Sequence, residues 1–306
     1  ATLIDNMNLT VNGTASVERF FTGNDIDWHL VSSPVSNAQA GVFLDMYLQS
    51  FNETTNSYSW ITDETTPLNV MEGYGLYSTL SATNTVTFTG DLNTGLLSRG
   101  YTANNQGWNL MGNPYVASID WEAALITTNM TNEVHYIDAS TGNDLSYVKG
   151  VGGTGSRFIP PMQGFFIKAT GTGNFLLADG VKTHSGAGTF YKNDNPQLIV
   201  LEASNENFSD EAWIHFNEAA GQEHDGQFDA YKRISTSNPE LPQLFSYTPS
   251  GTKLSVNGLP QTDVIPVGFT AVESGSFTIA ATETGEFTSI VLEDILLGNQ
   301  VDMMEE

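Results

Sequence analysis

Residues 28–35 read WHLVSSPV and residues 108–115 read WNLMGNPY, so one chain writes Trp-x-Leu-x-x-x-Pro twice, with its tryptophans 80 residues apart. No other feature constrains the fold as much, because self-similarity at such a spacing marks a supersecondary unit that has been repeated. The match continues downstream. ETTNSYSW (53–60) aligns with STGNDLSY (140–147), which sets Trp60 on Tyr147 at an offset of 87. VMEGYGLYS (70–78) aligns with PMQGFFIKA (161–169), which sets Met71 on Met162 and Gly73 on Gly164 at an offset of 91. Growth of the offset along the chain is the mark of a duplication whose second copy gained residues between strands, since loops tolerate insertions and strands do not. In each copy the Trp-x-Leu strand ends at a proline, which cannot donate to a ladder. A hairpin follows, turning at NETTNS or STGN. The Met-x-Gly-aromatic strand then carries a glycine that lets a neighbouring backbone or ring come close. Trp28 and Trp108 are expected as core anchors, with their leucines on the same strand face, ahead of the alternative of sugar-stacking platforms.

Twenty-nine glycines and 11% aromatics, with abundant Thr, Ser and Asn, point to many short strands and an all-β fold. One short helical candidate is SIDWEAAL (118–125), with Ser118 as its cap. From about residue 190 the repeat gives way to the runs QLIVLEA, EAWIHF, LFSYTP, KLSVNG, DVIPVGFTA, SFTIAA and SIVLED, separated by turns such as PSGT and ESGS. Such spacing suggests an antiparallel sandwich or jelly roll. The expected architecture is two duplicated β-sandwich or jelly-roll-like units followed by an antiparallel β-sandwich. Residues 1–21 are expected as a strand remnant of a stalk and 22–191 as the duplicated domain, with copies at about 22–95 and 100–185. Residues 192–306 form the C-terminal sandwich, with KNDNPQ (192–197) as the link.

Thirty-five acidic residues against 10 basic ones give a net charge of −25, which repels phosphate backbones and anionic membranes. Neither nucleic acid nor membrane insertion is expected, and no run approaches ~18 uninterrupted apolar residues. The absence of cysteine removes disulfides and thiolate chemistry together. The opening ATLIDNMNLT has no signal-peptide pattern, as in a chain whose signal has been removed.

The phrases SVERFFTGNDIDWHLVSSPV, GWNLMGNPY, IPPMQGFFIKA, DEAWIHFNEAA, DAYKRIS, KLSVNGLP and VIPVGFTA followed by IVLED span nearly the whole chain. Together they resemble the C-terminal half of large secreted surface proteins of the Bacteroidota, which are similar to cargo of the type IX secretion system. The resemblance implies tandem β-sandwich modules between a strand-repeat stalk and a cleavable sorting domain, exported and displayed on the cell surface. Two departures stand out: the stalk is reduced to NLTVNGTASVERFF, and the chain stops soon after IVLEDILLGNQ without a sorting domain. The resemblance identifies no binding partner.

Catalytic motifs are absent from the sequence. None of the five histidines has ligand spacing, and there is no Gly-x-Ser-x-Gly elbow. Among 35 carboxylates some pair always resembles a glycosidase dyad, so a pair alone carries no weight. The glycine-rich GVGGTGSRF (150–158) lacks the lysine and helix of a phosphate loop and is expected as a mobile insertion. Calcium suits the acidic loops better, because a hard cation takes six to eight oxygen ligands. Glu206, Asp210 and Glu211 in ENFSDE, and Glu223, Asp225 and Asp229 in EHDGQFD, are near enough to join across a strand pair. Plain solvated loops remain the alternative for both. DASTGND, with Asp138, Ser140 and Asp144 at its oxygen positions, is expected as a hairpin turn.

The expected function is a non-enzymatic extracellular surface module, structural or adhesive. Strand-like chain ends would let it assemble as a homo-oligomer or surface polymer by strand addition, or they are simply capped by loops. The alternative is a carbohydrate-binding module, with Tyr74, Tyr77, Tyr101, Tyr115 and Phe165 as candidate glycan contacts. Alternation of these rings into a core would remove its support; a groove lined with Asp or Asn would add to it.

Overall fold

The computed structural model describes residues 2–5, 11–21, 28–78, 84–185 and 197–304. It is all-β, with 47% of residues in strands and 4% in helical turns, and its sheets are mainly antiparallel. The expected link at 192–197 lies outside the described residues except for Gln197.

The first repeat comprises β1 (Ala15–Phe21), β2 (Trp28–Val31), β3 (Tyr47–Asn52), β4 (Ser57–Ile61), β5 (Tyr74–Tyr77) and β6 (Asn84–Gly90). The second comprises β7 (Leu97–Tyr101), β8 (Trp108–Gly112), β9 (Ser118–Asp120), β10 (Met130–Ile137), β11 (Asp144–Val148), β12 (Phe158–Ile159), β13 (Gly164–Ala169), β14 (Gly173–Leu177) and β15 (Lys182–Thr183). Their four-stranded sheets run β2-β5-β3-β4 and β8-β13-β10-β11, the same order strand for strand. In each repeat the strand before the tryptophan pairs with the last long strand, β1 with β6 and β7 with β14. The second repeat also holds a small sheet, β12-β9-β15, where the first repeat has, among the described residues, only a bridge between Gln39 and Pro67.

Three local expectations are corrected. The stretch expected as a stalk remnant contributes β1, which pairs residue by residue with β6 and buries Phe21 in the first repeat's core. In SIDWEAAL, Ser118 joins the β9 ladder. The turn that follows is a single 3-10 turn, Trp121–Ala123, capped by the Asp120 carboxylate, which accepts from the Glu122 amide at 3.1 Å. In the hairpins the registers set Leu48 opposite Ile61 and Leu76, and Val134 opposite Tyr147 and Ile167. Ile61 therefore corresponds to Tyr147, and Trp60 to Ser146. A slip of one residue exchanges the faces of a strand, so Trp60 and Ser146 share the outer face.

The repeats lock together reciprocally. The Ser32 amide donates to the Met162 carbonyl at 2.9 Å, and the Gly112 amide donates to the Met71 carbonyl at 2.9 Å. Val31 bridges to Gln163 as Met111 bridges to Glu72. Both methionines adopt the left-handed region, at φ 61° and 58°, a conformation uncommon outside glycine. It turns each side chain into the opposite core: Met71 packs with Met111, Tyr115 and Ile119, and Met162 with Val31, Leu76 and Phe88. The following glycines make the approach possible. A Cβ on Gly73 would lie 2.3 Å from the Met111 carbonyl oxygen, and one on Gly164 would lie 2.9 Å from the Leu30 Cβ. Leu30 and Leu110 meet in the cluster that joins the two sheets, with Trp108 and Phe166.

The C-terminal unit contains β16 (Leu198–Ser204), β17 (Ser209–Phe216), β18 (Ala230–Tyr231), β19 (Gln243–Tyr247), β20 (Lys253–Leu259), β21 (Val267–Thr270) and β22 (Thr278–Glu283), with a hairpin of β23 (Val291–Asp294) and β24 (Asn299–Asp302). Its seven-stranded sheet runs β21-β19-β20-β17-β16-β22, with β18 also on β20. Every expected strand is present. The sheet is not wholly antiparallel, because β17 and β20 run parallel. Parallel neighbours need a crossover, and residues 217–252 supply it.

Candidate functional site

The outer faces of the two four-stranded sheets are equivalent in register and opposite in fate. On the second repeat this face carries Trp108, Glu133, His135, Ser146 and Lys168, and the C-terminal unit covers it. His135 lies between two carboxylates, with Nδ1 2.6 Å from Asp144 Oδ1 and Nε2 2.9 Å from Glu133 Oε2. Both nitrogens donate, so the ring is an imidazolium. Burial opposes that charge, but Asp144 and Glu133 outweigh it and hold the His135 pKa above its ordinary value. Burial would likewise raise the two carboxylates; Arg233 and His135 at Asp144, and His135 at Glu133, hold them below the usual range instead.

The C-terminal unit reaches into this cluster. The Tyr231 amide donates to Glu133 at 2.9 Å and Arg233 Nη1 donates to Asp144 at 2.7 Å. The Arg233 guanidinium lies 4.0 Å over the Phe166 ring. Farther along, the Ser146 and Ser255 hydroxyls are 2.8 Å apart, and the Asn143 amide donates to Asp210 at 2.8 Å. The segment expected as a mobile insertion is part of the same joint. Val151 packs with Ala230 and Val256, and Gly153 runs so close to β11 that a Cβ would lie 2.3 Å from the Ser146 carbonyl oxygen.

On the first repeat the equivalent positions carry Trp28, Tyr47, Gln49, Trp60 and Tyr77, and among the described residues no unit covers them. Tyr77 pairs across the ladder with both Trp28 and Tyr47. The ring centroids lie 5.2 Å apart for Trp28 and Tyr77, and 5.8 Å for Tyr47 and Trp60. Trp60 is 57% exposed and Tyr47 54% exposed. These four rings line a cleft of about 730 Å³, rimmed by Leu44, Asp45, Asp63 and Glu64. Asp45 is held at φ 66°. Asp63 accepts from the Thr65 amide at 2.9 Å and the Thr65 hydroxyl at 2.7 Å, and these bonds keep its pKa below the usual carboxylate range.

Trp28, expected in the core, is therefore a half-buried wall of this cleft. Trp108 is buried, but beneath the C-terminal unit, where it meets His135 and Tyr231. Of the candidate glycan contacts only Tyr77 stands in the cleft. Tyr74, Tyr101, Tyr115 and Phe165 are each 2% exposed or less, in the repeat cores. Tyr47 and Trp60, which stand in the cleft, are not among the expected contacts. The signal for them was the alternation in YLQSF and SYSW, once the two strands are paired in register.

The six carboxylates considered for calcium are dispersed. Asp210 is buried against the Lys232 ammonium and also accepts from the Leu244 amide at 2.7 Å. Glu211 accepts from the Trp213 indole at 2.8 Å, and burial foremost raises its pKa. Glu206 is exposed, and Glu223 accepts from the Ser250 hydroxyl at 2.5 Å. Asp229 accepts from the Asp225 amide at 2.5 Å and the Gly258 amide at 2.7 Å, and burial pushes its pKa up to about 7. Among the described residues no three His, Asp or Glu side chains converge where a metal could sit.

No curated protein and no solved structure matches the chain. The model of one family, described as a domain of unknown function (DUF8693), matches residues 1–306, both repeats and the C-terminal unit together, and the chain belongs to that family.

Proposed function

We propose that the chain is a non-enzymatic, adhesive module displayed outside the cell, in which the second repeat is a structural joint and the first repeat is the binding element. The observation that carries this reading is the contrast between two equivalent faces, one sealed by the C-terminal unit and the other left as an aromatic cleft. Exposed aromatic rings grouped over a cleft of ligand size mark a recognition surface. The buried histidine supports a non-catalytic role, because both of its nitrogens are engaged by carboxylates and none is left to move a proton. Extracellular display rests on the resemblance to secreted surface proteins of the Bacteroidota. If copies polymerise by strand addition, β4, at the edge of its sheet and exposed from Ser57 to Trp60, offers an edge to a second copy.

The test uses the full chain fixed on beads and a panel of insoluble polysaccharides and protein-coated surfaces, comparing the native chain with a Tyr47→Ala/Trp60→Ala variant. Both side chains are more than half exposed, so the variant is expected to melt as the native chain does. Retention of the native chain on at least one surface, lost in the variant, supports the reading. Equal retention of both chains, or none by the native chain, overturns it.

A further inference from the structure

The chemistry of the cleft goes further than adhesion in general. We infer that the aromatic cleft of the first repeat binds an uncharged pyranose oligosaccharide, an inference that rests on the adhesive reading above. Three observations select this ligand class.

The first is what the rings replace. At the joint of the second repeat, Glu133 accepts a backbone amide from the segment laid over it, and Ser146 bonds a hydroxyl of the same unit. The equivalent positions in the first repeat are Tyr47 and Trp60. The acceptor for a peptide backbone has been exchanged for a flat π surface. Such a surface suits the axial C–H face of a sugar ring, whose weakly positive hydrogens meet the negative face of the aromatic quadrupole.

The second observation is charge. Among the described residues no Lys, Arg or His lines the cleft, while Asp45, Asp63 and Glu64 do. Asp63 is ionised and oriented by two bonds from Thr65, which leave its second oxygen for a ligand. That oxygen can accept a charge-assisted hydrogen bond from a sugar hydroxyl. The same rim, on a chain of net charge −25, repels uronates and sulfated sugars.

The third is size and preorganisation. A volume of about 730 Å³ falls within the range of small-ligand sites, roughly 300 to 1,000 Å³. The aromatic wall comes from paired strands, facing the turn at 40–46 and the loop at 62–64, and the rings brace one another, with Tyr47 edge-on to Trp60. Little ordering is left for the ligand to impose.

The experiment titrates the full chain with soluble oligosaccharides, following tryptophan emission and heat. One arm holds uncharged glucan, mannan, xylan and N-acetylated chitin fragments. The second holds oligogalacturonate and sulfated fragments, and the third a Lys/Tyr-rich peptide. At least one uncharged oligosaccharide is expected to bind and shift the emission, and Trp60→Ala is expected to weaken it by about tenfold or more, as for a central aromatic contact. Asp63→Asn is expected to weaken binding by a smaller factor. Tighter binding of the anionic arm, or binding of the peptide alone, overturns the saccharide class and leaves the adhesive cleft standing. Failure of all three arms, with bead retention still dependent on Tyr47 and Trp60, overturns the class in the same way. Failure of all three with no such dependence overturns both readings.

Discussion

A buried imidazole bonded at both nitrogens to carboxylates responds to pH in one direction on each side of its optimum. The pKa of His135 is raised in the folded chain. Its stabilisation is therefore complete below the ordinary histidine value, about 6.5, and is lost as pH rises through the raised folded value. Glu133 and Asp144 are depressed. Their contribution is present above the ordinary carboxylate values, about 4, and is lost as pH falls through the depressed ones. Asp229, pushed up to about 7 by burial, favours the protonated form and adds to the decline as pH rises. The melting temperature is expected to peak near about pH 5 and to fall steadily toward alkaline pH. His135→Gln should cost on the order of 3 to 5 kcal/mol, because it leaves buried carboxylates without their charge partner, and it should flatten the alkaline limb. An alkaline limb of unchanged slope in calorimetric scans would show that another group sets it. Lys232→Met is expected to cost a similar amount, on the order of 3 to 5 kcal/mol, since it leaves the buried Asp210 unpaired. Little of this cluster was legible beforehand. Glu133 and His135 alternate along one strand, but Asp144 comes from the next strand and Arg233 from another unit, about 90 residues on.

At the scale of elements, the duplication was legible because strand spacing is kept where register is fixed. The hairpins and the Met-x-Gly strands of the two repeats match because of it, while the four-strand order they share came from the structure. Two further things were not legible. The hairpin match set Trp60 on Tyr147, one residue from the true partner, because a local string match is blind to cross-strand pairing; that slip concealed Trp60 as an outward ring. The exchange of methionines was concealed as well, since a repeat shows that Met71 and Met162 are equivalent and is silent on whose core each enters. The exchange has a measurable signature. Met71→Ala is expected to cost roughly 2 to 5 kcal/mol, and hydrogen exchange should quicken first in β8 and β13 of the second repeat. Faster exchange confined to the first repeat would contradict the crossed packing. Gly164→Ala should be destabilising too, with the mirror-image effect on β2.

For the molecule as a whole, the crossed methionines join the repeats and the charge cluster joins the second repeat to the C-terminal unit. One cooperative transition is therefore expected in a calorimetric scan, and two separated transitions would show that one joint is weak. Added salt should raise the melting temperature of a chain with net charge −25, most steeply at low ionic strength, where the screening length shrinks to about 10 Å by 0.1 M. The buried pairs are shielded from salt, so the rise comes from the surface. The crossed methionines also bear on how such a chain can lengthen. Each repeat gives one methionine and accepts one, through the same patch of surface, so the contact is isologous and saturates at two. Solenoid repeats expose a fresh face at each end and add members freely; here a third copy would find no vacant core to enter. Copy number is capped by geometry, and a lone ancestral repeat would have had to find a second molecule of itself.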